Sequence, residues 1–258
     1  LLQKWTKQMI RLIFAVLFVT IYLILSIPVW GINWLIGLKN KDLMDRINYK
    51  NVQWAFKWVY RISGIKPVVR GLENVPKDQA FLFVGNHQSI FDVVLCYHFA
   101  PGITGFMAKD VLKKVPLLST WMKLTYCLFL TRTDPREDMK IILKAIEYVK
   151  AGKSMFIFPE GTRAKTGEMA AFHEGSFKVA TKGGVPVVPV AITGTREIFE
   201  AHTPFIRRGT VVITYGEPVD IATLEGDDRK YPGVYFQNLI SEMLVENEKI
   251  YEEKKSRK

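Results

Sequence analysis

From Leu12 to Leu38 the sequence reads LIFAVLFVTIYLILSIPVWGINWLIGL, without a single charged residue. About 20 apolar residues suffice for a helix to cross a bilayer. Any fold of this chain must therefore find a home for a segment that water does not tolerate. The run is longer than the apolar core of a secretory signal, and no small-x-small cleavage site follows it. It reads as an anchor. Pro28, Gly31 and Asn33 interrupt it, and Pro28, lacking a backbone donor, bends or breaks a helix. Lys4, Lys7 and Arg11 precede the run, and Lys39, Lys41, Arg46 and Lys50 follow it. A spanning helix concentrates positive charge on one side, whereas charge on both flanks suits a segment that dips into one leaflet and returns. Trp5, Trp30 and Trp34 would then lie at headgroup level. Dip and single span both remain open. Either one makes residues 1–62 a membrane-anchoring helical segment, with one globular domain expected over 63–258.

The net charge of +11 calls for an anionic partner: nucleic acid, an anionic lipid surface or a charged substrate. The chain has no zinc-finger spacing and no aromatic RNA-binding signature. With the apolar run, this favours anionic membrane lipids over nucleic acid. Hydrophobic residues make up 48% of the chain, enough for a packed core. Cys96 and Cys127 stand far apart and outside any CxxC pattern, so neither a disulfide framework nor a structural zinc site is expected. Two free thiols fit a reducing compartment, with the globular domain facing the cytoplasm from the cell membrane. His98, His173 and His202 have no partners at metal-ligand spacing, and no metal or cofactor is expected.

Beyond about Val68 strand and helix patterns alternate. Ala80–Gly85, Ile103–Ala108, Cys127–Arg132, the run before Phe158, Val187–Ile192 and Thr210–Gly216 read as strands. Helices are expected over Ile90–Phe99, over Gly175–Lys182, and from Pro135 to Lys150 with Asp134 as N-cap and Gly152 closing. An amphipathic tail helix over Tyr235–Lys255 turns Leu239, Ile240, Met243 and Leu244 inward. The fold class is α/β: a mixed, largely parallel sheet flanked by helices. Sites in such folds gather at the carboxyl ends of strands.

Two segments fall there. GNHQSIFD places His87 after a strand and Asp92 five residues on. Within one helix that spacing would put them on different faces. With His87 in the strand-to-helix turn and Asp92 in the first helical turn, the carboxylate can hold one ring nitrogen and leave the other as a base. Ser89 lies beside the base, but no GxSxG elbow surrounds it. FPEGTR follows another apolar strand: Pro159 and Gly161 shape a tight turn, Thr162 offers a hydroxyl, and Arg163 offers a planar fork suited to phosphate. Glu160 would hold Arg163 or bond a substrate hydroxyl. Lys109, Lys113 and Arg132 add positive charge. VPVVPV (Val185–Val190) reads as a lipid-pocket lining or a buried edge strand.

NHQSIFD, CLFLTR, FPEGTR and VPVVPV, in this order and over about Val68–Gly216, resemble the glycerolipid acyltransferase family, specifically 1-acyl-sn-glycerol-3-phosphate acyltransferases. The resemblance implies that His87 is general base, oriented by Asp92, for attack of a lysophosphatidic acid hydroxyl on acyl-CoA or acyl-ACP. It assigns Arg132, Glu160, Gly161, Thr162 and Arg163, with Lys109, to the acceptor phosphate. FLTR is the loosest of these matches. Alternatives are another lysophospholipid or a lyso-aminolipid as acceptor, a non-catalytic lipid-binding protein, and a serine hydrolase using Ser89.

Overall fold

The computed structural model describes residues 2–131, 133–164 and 166–256. Seven strands form one sheet: β1 (Ile65–Arg70), β2 (Leu82–Gly85), β3 (Thr104–Lys109), β4 (Leu128–Leu130), β5 (Ser154–Ile157), β6 (Val187–Thr193) and β7 (Gly209–Tyr215). Their spatial order is β1-β7-β6-β2-β5-β3-β4. Every neighbouring pair is parallel except β6 and β7, so the sheet is mixed and largely parallel.

Nine helices accompany it among the described residues: α1 (Leu2–Lys39), α2 (Lys41–Ile62), α3 (Ile90–Phe99), α4 (Leu118–Leu124), α5 (Pro135–Lys150), α6 (Lys178–Gly183), α7 (Thr195–Ile198), α8 (Gly226–Lys230) and α9 (Pro232–Ser256). The period-2 alternation of strands sorts the core into two layers. Phe83, Phe156, Val188, Val190 and Ile192 point to the face covered by α1–α4. Leu82, Val84, Met155, Ile157, Val187 and Ala191 point to the face covered by α5, α6 and α9. Burial on both faces is why the central strands read as continuous apolar runs rather than alternating ones.

Helix α1 runs unbroken through Pro28, about 57 Å at 1.5 Å per residue. No return occurs within Leu12–Leu38; the dip-and-return expectation fails there. The chain reverses at Asn40 instead, whose Oδ1 accepts the Leu43 N–H at 2.9 Å and caps α2. α2 lies back along α1, with the Phe18 and Trp54 rings 6.1 Å apart. Two polar residues of the apolar run face the protein: Ser26 Oγ accepts from Trp121 Nε1 at 2.8 Å, and Asn33 Nδ2 donates to Asn48 Oδ1 at 2.7 Å. Large apolar side chains on its other sides, among them Phe14, Leu17, Ile24, Leu25 and Leu35, are exposed. Over Trp5–Lys39 the helix is long and apolar enough to cross a membrane.

VPVVPV lies neither at an edge nor against the cavity described below. It enters β6, an interior strand between β7 and β2 whose seven residues are all buried. Pro189 precedes the stretch of β6 that pairs with β7, which begins at Val190, and its carbonyl accepts the Gly216 N–H at 2.8 Å.

Candidate active site

β2 and β5 are parallel neighbours, with Leu82 beside Met155 and Val84 beside Ile157. Their carboxyl ends therefore deliver Asn86–Ser89 and Phe158–Arg163 to the same edge of the sheet. Asn86 locks the first turn: its Nδ2 donates to the Ile192 carbonyl at 2.9 Å, and its Oδ1 accepts the Ile192 N–H at 2.8 Å. The side chain thus extends strand pairing by one rung. Ser89 is the N-cap of α3, its Oγ accepting the Phe91 N–H at 3.1 Å in a capping box completed by Asp92. Ser89 is fully buried and its hydroxyl is committed to the helix, which removes the serine-nucleophile alternative.

Asp92 is completely buried. Its Oδ2 lies 2.9 Å from His87 Nδ1 and also accepts the Gln88 and Ser89 N–H groups, each at 2.7 Å. An acceptor that already gathers two N–H donors places a proton on Nδ1, so that in the neutral ring Nε2 keeps a free lone pair. The His87 ring stacks on Phe158 with centroids 4.1 Å apart and 16° between planes. Its backbone is clamped as well: the N–H donates to Glu160 Oε1 at 2.6 Å, and the carbonyl accepts from Ala164 at 2.8 Å. The histidine is thereby fixed in place by both loops, with 17% of its side chain exposed.

Glu160 is 4% exposed, and its second oxygen accepts the Ala170 N–H at 2.8 Å. Burial pushes its carboxyl above the ordinary range, while these two N–H bonds pull it back part of the way. Glu160 does not hold Arg163. That guanidinium instead donates to Glu200 Oε1 at 2.8 Å. Gly161 adopts φ +71, a left-handed conformation that glycine takes freely, and Thr162 and Arg163 are exposed. Lys109 ends β3 and is exposed. Lys113 lies 5.8 Å over the Phe129 ring. Arg132 lies outside the described residues.

His87, Lys109, Gly161, Thr162 and Arg163 all line one cavity of about 1030 Å³, at the upper end of the ~300–1,000 Å³ of small-molecule sites. Much of its lining is apolar and includes Phe18 and Tyr22 of α1, Ala55 of α2, Val94 and Tyr97 of α3, Trp121 of α4 and Ile142 of α5. Ser176 and Lys178 also border it. These wall residues, like Asn86, Phe158 and Glu200, escape sequence reasoning, because their roles come from elements far apart in the chain. The asparagine before His87 was the one local signal available. Cys96 and Cys127 are free and buried, and burial raises both thiols above their usual range. Among the described residues no three His, Cys, Asp or Glu side chains converge as a metal would require.

Comparison with known proteins bears on this geometry. The family model described as Acyltransferase matches residues 66–193. A 1-acyl-sn-glycerol-3-phosphate acyltransferase of Borreliella burgdorferi is 30% identical over 180 residues, covering 69% of this chain and 72% of the relative. A chloroplastic protein of the same description from Brassica napus is 33% identical over 168 residues, covering 64% of this chain and 48% of the relative. The chain thus spans about half the length of that plant relative. The crystal structure of the 1-acyl-sn-glycerophosphate (LPA) acyltransferase PlsC from Thermotoga maritima superposes with a TM-score of 0.71 at 26% identity, covering 92% of this chain and 98% of that one.

Proposed function

This chain belongs to the 1-acyl-sn-glycerol-3-phosphate acyltransferase family, and on that footing we propose that it transfers an acyl group from acyl-CoA or acyl-ACP to the sn-2 hydroxyl of lysophosphatidic acid, forming phosphatidic acid. The observation that carries the reading is His87, held at Nδ1 by buried Asp92 on the wall of a large apolar cavity that also meets Arg163.

The acceptor phosphate is bound by Arg163, the Gly161–Thr162 turn and Lys109, with Arg132 assigned to the same task. The sn-2 hydroxyl then lies against His87 Nε2. As its oxygen attacks the thioester carbonyl, the proton passes to Nε2, and the imidazolium is stabilised by the Asp92 carboxylate. Collapse of the tetrahedral intermediate breaks the C–S bond, and the departing thiolate takes the proton back from His87. No covalent enzyme intermediate and no metal ion enter these steps. Glu160 acts behind the site, fixing the His87 backbone, rather than at the substrate. The apolar wall takes acyl chains.

The chain works on the membrane, its domain toward the cytoplasm. α1 is bound to the protein along its length, from the Trp5–Phe205 ring pair through Ser26–Trp121 to Asn33–Asn48. It is about 57 Å long, against a hydrocarbon core of about 30 Å. A crossing would drag the attached domain into hydrocarbon. α1 lies along one leaflet instead, its exposed apolar sides toward lipid.

The test is acyl transfer by detergent-solubilised protein to lysophosphatidic acid, with acyl-CoA and acyl-ACP as alternative donors and His87→Ala in parallel. Phosphatidic acid formed by the wild type and lost in the variant supports the reading. Equal product from both removes His87 from the chemistry. No product from well-folded wild type moves the activity to another acceptor.

A further inference from the structure

Glu200 sits where the two halves of the site meet, and no motif in the sequence marks it. It lies in the short turn Glu200–His202 that follows β6 and α7. Its Oε1 accepts two hydrogen bonds of 2.8 Å, one from Arg163 Nη1 and one from the Ile90 N–H. Ile90 is the first residue of α3, the helix that carries Asp92. One oxygen therefore ties the start of the base-orienting helix to the arginine of the glycine turn.

The bond to the Ile90 N–H supports the start of α3, but stability does not account for the Arg163 pair. Arg163 is half exposed, and an ion pair with one partner in water contributes little to folding. Glu200 is only 17% exposed, and its Oε2 is buried without a hydrogen-bond partner, a cost that a purely structural pair would avoid. The bond to Glu200 uses one of the five guanidinium N–H groups, which leaves the fork able to engage an anion through the others. Arg163 held this way surrenders less side-chain freedom on binding phosphate than a free arginine would.

We infer that Glu200 is a positioning residue for the acceptor: it fixes the Arg163 guanidinium relative to His87, so that a bound phosphate and the hydroxyl to be acylated are in register. The inference rests on the acceptor proposed above. It predicts that Glu200 governs acceptor binding and leaves donor binding alone.

The experiment uses the full chain in detergent, with radiolabelled lysophosphatidic acid binding measured without donor, and transfer kinetics measured separately. The variants are Glu200→Ala, Glu200→Gln and, as control, Glu197→Ala, a neighbouring acid paired with Arg196 and His202. Loss of the partner that orients a metal ligand costs about 10- to 100-fold, and the same scale is taken for an arginine oriented toward phosphate. Glu200→Ala should weaken lysophosphatidic acid binding and raise the acceptor KM by about 10-fold or more, with kcat and the donor KM far less affected. Glu200→Gln keeps an oxygen for both N–H groups and should recover most of the loss. In an Arg163→Gln background, Glu200→Ala should add little further.

A fall in kcat with an unchanged acceptor KM, or an effect no larger than that of Glu197→Ala, overturns the inference. So does a full effect in the Arg163→Gln background, or wild type that does not bind lysophosphatidic acid. If Glu200→Ala fails to fold, Glu200→Gln and the Arg163→Gln pair decide the matter through the same binding measurement. Glu200-dependent binding without any acyl transfer would keep the positioning role and sink the proposed reaction.

Discussion

Replacing Asp92 by asparagine exchanges one oxygen for an amide nitrogen in a side chain that water does not reach. Orientation is not free. Oδ2 receives three N–H groups, from His87, Gln88 and Ser89, while Oδ1 has no hydrogen-bond partner. Turning the amide NH₂ toward three donors would leave all three unmatched, so the asparagine oxygen must occupy the Oδ2 position. The His87 ring and the helix start are then held as before, and what disappears is the negative charge facing the imidazolium at the transition state. For charges about 4 Å apart at an effective dielectric near 20, that attraction is about 4 kcal/mol. At about 1.4 kcal/mol per tenfold, kcat should fall by roughly 10³-fold. The acceptor KM should change little, while the amide NH₂ buried at the partnerless Oδ1 position costs about 1–3 kcal/mol and should lower the melting temperature. Steady-state transfer to lysophosphatidic acid at saturating donor measures the first, and thermal unfolding in the same detergent measures the second. A well-folded Asp92→Asn enzyme losing less than about tenfold in kcat would refute the electrostatic role assigned to Asp92. Asp92→Ala is a different perturbation, because it strands the Gln88 and Ser89 N–H groups at about 1–3 kcal/mol each and should lower the melting temperature as well.

Gly161→Ala places a Cβ on a backbone with φ +71, at about 1–2 kcal/mol; the acceptor KM should rise with a modest loss of thermal stability. Ala55→Phe and Val94→Phe fill part of the apolar wall and should shift preference toward shorter acyl chains. Each excluded methylene is worth about 0.8 kcal/mol, close to fourfold in affinity, and competition between donors of graded length reads it; an unaltered profile in both variants would remove these residues from the acyl path. His98 packs against Tyr60 and Phe99 and bonds the Gln53 carbonyl through Nδ1 at 2.9 Å. Burial, helped by nearby Lys57 and Arg61, holds its pKa below the ordinary histidine value. Its contribution to stability is therefore full above about pH 6.5, the unfolded value, and is lost as pH falls toward and through the lower folded value. The melting temperature should fall between about pH 7 and pH 5, and less steeply in His98→Gln, which retains a donor for the Gln53 carbonyl.

Much of the fold was legible because its signals are local. Six of the seven strands announced themselves as short apolar runs, and α5 showed both its Asp134 cap and its Gly152 stop. β1 begins at Ile65, ahead of the expected start of the pattern, because IKPVVR carries a lysine and a proline that an outer strand accepts. α4, only seven residues long, gives too short a window for a period of 3.6 to register. Pro28 misled for a different reason. A proline forfeits one donor and crowds one carbonyl, and the helix, tied to the protein by Trp121–Ser26 and Asn33–Asn48 bonds on either side of it, stays continuous.

What the sequence determined by itself was the inventory at the strand ends: His87 and Asp92 five positions apart, and the Phe158–Arg163 turn, each written in contiguous residues. Tertiary structure alone decided that the two turns share one site, since β2 and β5 become neighbours only in the sheet, with β3 and β4 placed beyond them. It alone assigned Glu160 to the His87 backbone and Arg163 to Glu200, and it gathered the apolar lining of the cavity from helices distant in sequence. These are contacts between residues remote in sequence, set by which faces the packed layers bury, and no local pattern of residue types encodes them.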